Sequence, residues 1–203
     1  MYKFFKRVFD IVLASLALVV LAPVMLVLVL VIRAQSKGPA LFKQRRAGKN
    51  GRPFVLCKFR TMRTGINPFG ASPKSGADDR ITKVGRFLRE YSLDELPQLF
   101  NVIRGDMSLV GPRPLYVEQM AEWDQRQTRR LEVMPGLTGL AQITGRGGLT
   151  RERKLELDVQ YVESAGMLTD IKIIFATVKS VFAGKDIYEK KYSEDEGTRG
   201  DSQ

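Results

Sequence analysis

The sequence predicts an α+β chain, mostly helical, built as a membrane-associated single domain. Its parts are an N-terminal re-entrant helix-break-helix anchor, interfacial amphipathic helices and a small β-hairpin. Three observations predict it. An uncharged apolar run, Ile11 to Ile32, contains Pro23 and carries basic residues on both flanks. An Asn-Gly pair, Asn50-Gly51, stands between two strand-like stretches. Apolar residues then recur at helical spacing, with lysines and arginines among them.

The anchor comes first. At about 1.5 Å per residue, the run from Ile11 to Ile32 reaches roughly 33 Å, enough to cross a hydrocarbon core. A cleaved signal peptide fits poorly, because the run is too long and no Ala-x-Ala-like site follows it. A straight spanning helix is the simpler alternative. Pro23 argues against it by removing a backbone hydrogen bond in mid-run, at a cost on the order of 3 kcal/mol in a helix interior. The flanks argue harder. Lys3, Lys6 and Arg7 precede the run, and Arg33, Lys37, Lys43, Arg45 and Arg46 follow it. The positive-inside rule puts both groups on the cytoplasmic side. A hairpin bending near Pro23 satisfies that, whereas a single crossing does not. Its half-helices, about 12 and 9 residues, would reach roughly 18 and 14 Å deep. Residues 1–33 are assigned to this anchor.

No second long apolar run follows, so residues 34–188 are expected in or on the cytoplasmic interface, with 189–203 a polar tail. "ALFKQRRAGKNGRPFVLCKFRTM" reads as two short strands around the Gly48-Lys49-Asn50-Gly51 turn. Residues 64–79, rich in Gly, Pro, Ser and Asp, read as a long loop of the kind used as a lid or binding loop. Ile81, Val84, Leu88 and Tyr91 recur at helical spacing with Lys83, Arg86 and Arg89 between them. That basic amphipathic helix suits a membrane surface or an ordinary core equally well. Leu96, Leu99, Phe100 and Ile103 make the next stripe, ending at Gly105. "EVMPGLTGLAQITGRGG" (132–148) reads as loop with short extended pieces. Helices are expected over Glu152–Glu163 and over 168–183, the second with Ile171, Ile174, Phe175, Val178 and Phe182 on one side.

Composition narrows the chemistry. The 203 residues suffice for one domain with a proper core. Lys and Arg total 33 against 22 acids, a formal net charge of +11, and residues 1–60 hold a single acid, Asp10. Such a field favours an anionic partner. Histidine is absent, which removes Ser-His-Asp and Cys-His nucleophiles, imidazole bases and imidazole metal ligands. Cys57 is the single cysteine, so no disulfide or zinc cluster forms within the chain.

"YSLDELPQLFNVIRGDMSLVGPRP" (91–114) sets Asp94 and Glu95 side by side. Ser92 with Glu95 three residues on is a capping-box pattern, and Asp94 would favour the positive end of the helix dipole. Pro97 conflicts with a helix counted from Ser92 but fits the third position of one counted from Asp94. Either way a carboxylate lies at a positive helix end, which suits capping and anion handling alike. The local pattern leaves both open.

Basic residues give the pair company. Arg113 lies between Pro112 and Pro114, which restrict its backbone. Lys58 and Arg60, two apart in "KFRTM", share a strand face. Arg89 precedes Asp94 by five residues, and Arg146 sits in "TGRGG". Each alone is an ordinary surface charge. Together with paired acids and a membrane anchor they point to metal-assisted phosphoryl transfer, with carboxylates on Mg²⁺ and cations on phosphate oxygens.

"KRVFDI", the Pro-containing run, "KFRTM", "SLDELPQLFNVIRGDMSLVGPRP" and "PGLTGLAQITGR" together resemble the monotopic phosphoglycosyl transferases, the bacterial initiating sugar-phosphate transferases. The likeness covers roughly residues 1–185, and in size the chain is similar to the minimal, PglC-like members, without the N-terminal spanning helices that larger relatives add. The resemblance implies transfer of a sugar 1-phosphate from a UDP-sugar to a polyprenol phosphate, with release of UMP and a requirement for Mg²⁺. It implies a catalytic domain on the cytoplasmic face of the bacterial inner membrane, in contact with inner-leaflet lipid and with no nucleic-acid partner. It implies an Asp-Glu dyad, here Asp94 and Glu95, that engages the metal, with Asp94 the nucleophile of a covalent phosphosugar intermediate. Lys58, Arg60, Arg89, Arg113, Gln142 and Arg146 are expected to bind the substrate. The family's anchor breaks at a Ser-Pro pair; here the pair is Ala22-Pro23, so only the proline matches.

The absent histidine agrees with this chemistry. A carboxylate with an ordinary pKa near 4 is ionised at neutral pH and attacks phosphorus without a base. What such a site must supply is charge neutralisation, since two unit charges at 4 Å repel by about 4 kcal/mol at an effective dielectric of 20. The alternative reading is a catalytically silent, membrane-anchored basic module for anionic lipid or nucleic acid. The charge suits it, but the sequence has no interleaved aromatic platform for bases. The identity of the sugar and of the polyprenol, and whether the chain forms a homo-oligomer, are not written in these motifs.

Overall fold

The computed structural model describes residues 1–66, 73 and 75–183. The 189–203 tail and most of the middle of the 64–79 loop lie outside the described residues. Helix α1 (Tyr2–Gln35) is one helix of 34 residues with Pro23 inside it. The helical run continues through Pro23, where the sequence suggests a break between two half-helices. A proline removes one donor, and neighbouring groups can re-satisfy the freed carbonyl by local adjustment. The fully covered residues of α1 are Asp10, Ala14, Leu28 and Ile32, towards its two ends. Between Val19 and Val27 only Leu21 and Met25 are even partly covered.

Both ends of α1 are fastened to the same body of protein. Lys6 Nζ and Tyr2 OH donate to Asp170 Oδ2 at 2.7 and 2.8 Å. Arg7 donates to the carbonyls of Val102 and Ile103 at 2.7 and 2.9 Å, and buried Asp10 accepts the Leu109 N–H at 3.1 Å. At the other end the Gln35 side chain accepts the Val84 N–H at 3.1 Å. Two apolar clusters complete the seat. Ala14 packs with Leu56, Leu99, Val102 and Met107, while Leu28 and Ile32 pack with Ala40, Phe59 and Leu88. Burying each Leu, Ile or Phe side chain contributes about 1.5–3 kcal/mol.

The hairpin is as predicted. Strands β1 (Leu41–Ala47) and β2 (Pro53–Phe59) pair antiparallel, from Leu41 opposite Phe59 to Ala47 opposite Pro53. Their turn passes through left-handed Asn50 (φ 55°) and Gly51 (φ 73°), the conformation that Asn-Gly accepts readily. A bridge between Met62 and Ile81 closes the neck of the 64–79 loop. Helix α2 (Lys83–Glu90) then starts on Thr82, whose Oγ1 accepts the Gly85 N–H at 2.9 Å. It lies so close to Thr61 that a Cβ on Gly85 would come within 2.0 Å of the Thr61 carbonyl oxygen.

Helix α3 (Gln98–Arg104) ends, as expected, on left-handed Gly105. Beyond it, strands β3 (Ser108–Val110) and β4 (Gly136–Thr138) form a parallel pair. The short helices α4 (Gln125–Thr128) and α5 (Leu140–Thr144) were not legible in the sequence. Helices α6 (Arg151–Ser164) and α7 (Met167–Ala183) match the two expected near the C-terminus. The apolar stripe of α7 is split by the packing: Asp170 and Ile173 are buried, whereas Phe175 (73 % exposed) and Val178 point outward.

Candidate active site

Ser92 takes a left-handed conformation (φ 55°, ψ 22°) and its side chain caps nothing, so the capping box is not formed. Leu93–Glu95 make a single 3₁₀ turn instead, and α3 begins after Pro97. The turn puts the adjacent carboxylates in different surroundings. Glu95 is partly exposed and accepts from Arg113 Nη2 at 2.9 Å. Asp94 is buried, at 8 % exposure, and among the described residues no hydrogen bond reaches its carboxylate. Burial, then the charge of Glu95, pushes the Asp94 pKa up to about 6, against the pull of Lys58, Arg89 and Arg113. Lys58 on β2 shows the complement: burial brings its ammonium down to about 8, with Asp94 the leading opposing influence.

Three local devices assemble this group. Asn101 of α3 donates to the Val55 carbonyl at 2.7 Å and accepts the Cys57 N–H at 3.1 Å, which fixes α3 to β2 beside Lys58. Arg89, from the last turn of α2, donates through Nε to Thr61 Oγ1 at 2.9 Å. The Pro112-Arg113-Pro114 backbone is held by the Gly136 N–H on the Pro112 carbonyl at 2.9 Å and by Arg130 Nη2 on the Arg113 carbonyl at 2.5 Å. Residues 110–112 and 114 are buried, while Arg113 projects into the open. Alongside, Leu18, Val19 and Met25 of α1 face Phe59, Pro97 and Phe100 across an apolar groove of about 490 Å³. Pro97 places that groove two residues from Glu95.

The family model described as bacterial sugar transferase matches residues 1–184. The chain belongs to the bacterial sugar transferase family. It is similar to the "uncharacterized sugar transferase EpsL" of Bacillus subtilis, 42 % identical over 187 residues that cover 92 % of each chain. It is 44 % identical over 192 residues to a protein of Klebsiella pneumoniae named UDP-glucose:undecaprenyl-phosphate glucose-1-phosphate transferase, and spans 41 % of that protein. A protein of the same name from Caulobacter vibrioides is 43 % identical over 196 residues, and this chain spans 72 % of that protein. These likenesses support the resemblance that the motifs carry, to the initiating phosphoglycosyl transferases.

Within this bacterial sugar transferase, Asp94, Glu95, Lys58, Arg89 and Arg113 come together, as their charges on Asp94 show. Arg60, expected at a substrate site, is not among these groups. It is 7 % exposed, and its Nη1 and Nη2 donate to the carbonyls of Lys37 and Ser36 at 2.5 and 2.9 Å, just past the end of α1. The spacing that put Arg60 on the face of Lys58 holds only inside the strand, and β2 stops at Phe59. Gln142 lies on α5 with both amide ends buried and unpartnered among the described residues, its Oε1 near Gly139. Arg146 begins a 3₁₀ turn, Arg146–Gly148, and its side chain lies outside what the structure describes.

Two residues behind Arg113 escaped the sequence reading, Arg130 and Asp158, paired at 2.6 Å. The signal for Asp158 was present: it stands three residues from both Leu155 and Tyr161, an acid inside the buried stripe of α6.

The donor set fits a hard divalent cation. Two neighbouring carboxylates repel, and one of them has oxygens without donors. Among the described residues no group of three or more Asp, Glu, Cys or His side chains forms a closed cage. A Mg²⁺ on Asp94 and Glu95 would therefore draw its other ligands from water and diphosphate, the arrangement Mg²⁺ favours.

Proposed function

We propose that this protein transfers a sugar 1-phosphate from a UDP-sugar to a polyprenol phosphate at the cytoplasmic face of the bacterial inner membrane. The carrying observation is Asp94. Its carboxylate is buried and receives no hydrogen bond among the described residues, and burying a charge without donors costs stability. Three cations and a neighbouring acid surround it, which suits a nucleophile for an anionic substrate.

In this reading an Asp94 oxygen attacks the sugar-bearing phosphorus of the UDP-sugar. The bond between that phosphorus and the bridging oxygen breaks, and UMP leaves with the electron pair. An oxygen of the polyprenol phosphate then attacks the same phosphorus, and the Asp94 carboxylate is released. No proton need move in either step, which agrees with a chain that has no histidine. With its pKa near 6, Asp94 is largely ionised at pH 7, although less completely than an ordinary aspartate. Lys58, Arg89 and Arg113 neutralise the incoming diphosphate, and Glu95 holds Arg113 ready. Bound Mg²⁺ would add Lewis-acid stabilisation of the phosphate oxygens.

The membrane part supports the same reading. The domain grips α1 at Tyr2, Lys6, Arg7 and Asp10 and again at Gln35, Ser36 and Lys37. A helix that crossed the bilayer would carry one of those polar grips to the far side. A re-entrant helix, dipping with its exposed middle and returning, keeps both at one interface. Exposed Phe87, Tyr91 and Phe175 suit the same interface. The apolar groove ending at Pro97 would take the first isoprene units of the acceptor, leaving its phosphate beside Asp94.

The test is direct. Protein in detergent with Mg²⁺, polyprenol phosphate and a panel of UDP-sugars should release UMP with at least one donor. Asp94→Asn should cut the rate by at least about a thousandfold and remove the phosphosugar adduct seen on the intact protein by mass spectrometry. Full turnover by Asp94→Asn would sink the mechanism.

A further inference from the structure

Arg113 offers its guanidinium from a backbone that is held on every side. The Pro112 carbonyl takes the Gly136 N–H and the Leu115 carbonyl takes the Ala47 N–H, each at 2.9 Å. The remaining grip is made by side chains. Arg130 and Asp158 are 28 residues apart in sequence, in the 3₁₀ turn Arg129–Glu132 and in α6, and their side chains are 2 and 3 % exposed. Arg130 sends Nε and Nη2 to Asp158 Oδ2 at 3.0 and 2.6 Å, and Nη2 also reaches the Arg113 carbonyl at 2.5 Å. The guanidinium lies over the Trp123 ring, 4.7 Å from its centroid. Burial raises the Asp158 pKa, and Arg130 and then the Arg113 backbone N–H pull it back towards the carboxylate. That N–H is the one backbone donor in the Pro-Arg-Pro triplet, since proline has none.

A buried ion pair is a poor device for stability alone, because well-packed apolar residues of similar volume often serve as well or better. This pair is better explained by what else it touches, the main chain of one exposed arginine. We propose that Arg130 and Asp158 form an internal clamp that sets the Arg113 backbone and so aims its guanidinium at Glu95 and at the substrate diphosphate. They are positioning residues that act through Arg113 and touch no substrate. The inference rests on the transferase reading given above.

Its test is a mutant cycle. Arg130→Met together with Asp158→Leu removes both charges at once, so that no buried charge loses its partner, and it frees the Arg113 main chain. UMP release is measured for the wild type, this double variant, Arg113→Ala and the triple variant, with melting temperature alongside. The double variant should melt within a few degrees of wild type. Its kcat/KM should fall about ten- to a hundredfold, the scale of a small misplacement of a catalytic group. In the Arg113→Ala background the same pair of substitutions should cost nothing further, because residues acting as one unit are not additive. Arg130→Lys, which keeps the charge but lacks the fork, should lose part of the rate by the same criterion. It carries the test if the double variant does not fold.

A folded double variant with wild-type kcat/KM overturns the clamp, as does an equal loss in the Arg113→Ala background, which would make the pair merely structural. A wild-type protein that releases no UMP overturns the transferase reading and, with it, the purpose assigned to the clamp.

Discussion

Asp94 and Asp158 are both buried, both beside arginines, and in both burial raises the pKa. They differ in what meets the charge. Asp158 receives two N–H groups from one guanidinium, whereas Asp94 receives none among the described residues and faces a second carboxylate. The first is a buried ion pair made through Oδ2, with Oδ1 left without a hydrogen bond among the described residues. The second is left open on the side where Lys58, Arg89 and Arg113 gather, and its openness is what an anionic substrate or a cation would fill. A buried acid paired with a guanidinium holds structure; one that faces a second acid and receives no donor is open to a partner.

Substitution should separate the two with opposite signs. Asp158→Ala leaves Arg130 charged and buried, and should cost about 3–5 kcal/mol of stability. Asp94→Asn should gain on the order of 2 kcal/mol at pH 7. The folded pKa of Asp94, about 6, lies above its unfolded value near 4, so the protonated form favours the fold. That contribution is complete below about pH 4 and is lost as pH rises through 6. Asparagine escapes the loss, so its advantage should shrink towards zero as the pH falls to 4. Denaturant titrations in micelles at pH 7 and pH 4.5 measure both. A destabilised Asp94→Asn at pH 7 would mean that the carboxylate is already well held.

Activity should report the open site in its pH dependence. The proposed mechanism needs Asp94 ionised and Lys58 protonated, so kcat/KM should rise through about pH 6 and fall through about pH 8. The two groups interact, so the limbs belong to the pair. Lys58 heads the influences that hold the Asp94 pKa down, and Lys58→Met should therefore move the acid limb upward. An acid limb that stays in place would detach Lys58 from Asp94.

The same contrast marks where sequence reasoning reached and where it stopped. Local signals were enough for a long apolar N-terminal helix, though not for its unbroken course past Pro23, and for the Asn50-Gly51 hairpin, α2, α6 and α7, since each rests on spacing within one segment. The open site was legible because its members advertise themselves: adjacent acids, an arginine between prolines, a lysine in a strand. The clamp was not, because Arg130 and Asp158 become partners only when α6 folds back across the Arg129–Glu132 turn. The parallel pairing of β3 with β4 was hidden for the same reason, being two three-residue strands joined over a long connection. Ser92 misled in the other direction. It has the side chain of a cap, but its left-handed backbone turns Asp94 inward before any helix starts.

Arg60 gives the smallest expected effect and sharpens the contrast from the side of the cations. Lys58, Arg89 and Arg113 act on Asp94, but Arg60 spends its guanidinium on the carbonyls of Ser36 and Lys37 at the C-terminal end of α1. Gly38, at φ 109°, keeps the chain close enough that a Cβ there would meet Arg60 Nη1 at 2.9 Å. A cation at that end also opposes the negative end of the helix dipole. Arg60→Ala should therefore loosen the return of α1 to the domain and cost about 2 kcal/mol, the scale of a hydrogen-bonded charged group. The variant that stays folded should keep kcat/KM within about twofold of wild type, since surface-independent sites are close to additive. Melting temperature and UMP release on the same preparation separate the two roles. An unchanged melting temperature with a large loss of rate would return Arg60 to the substrate site and leave the end of α1 to be held by Gln35 and its apolar seat alone.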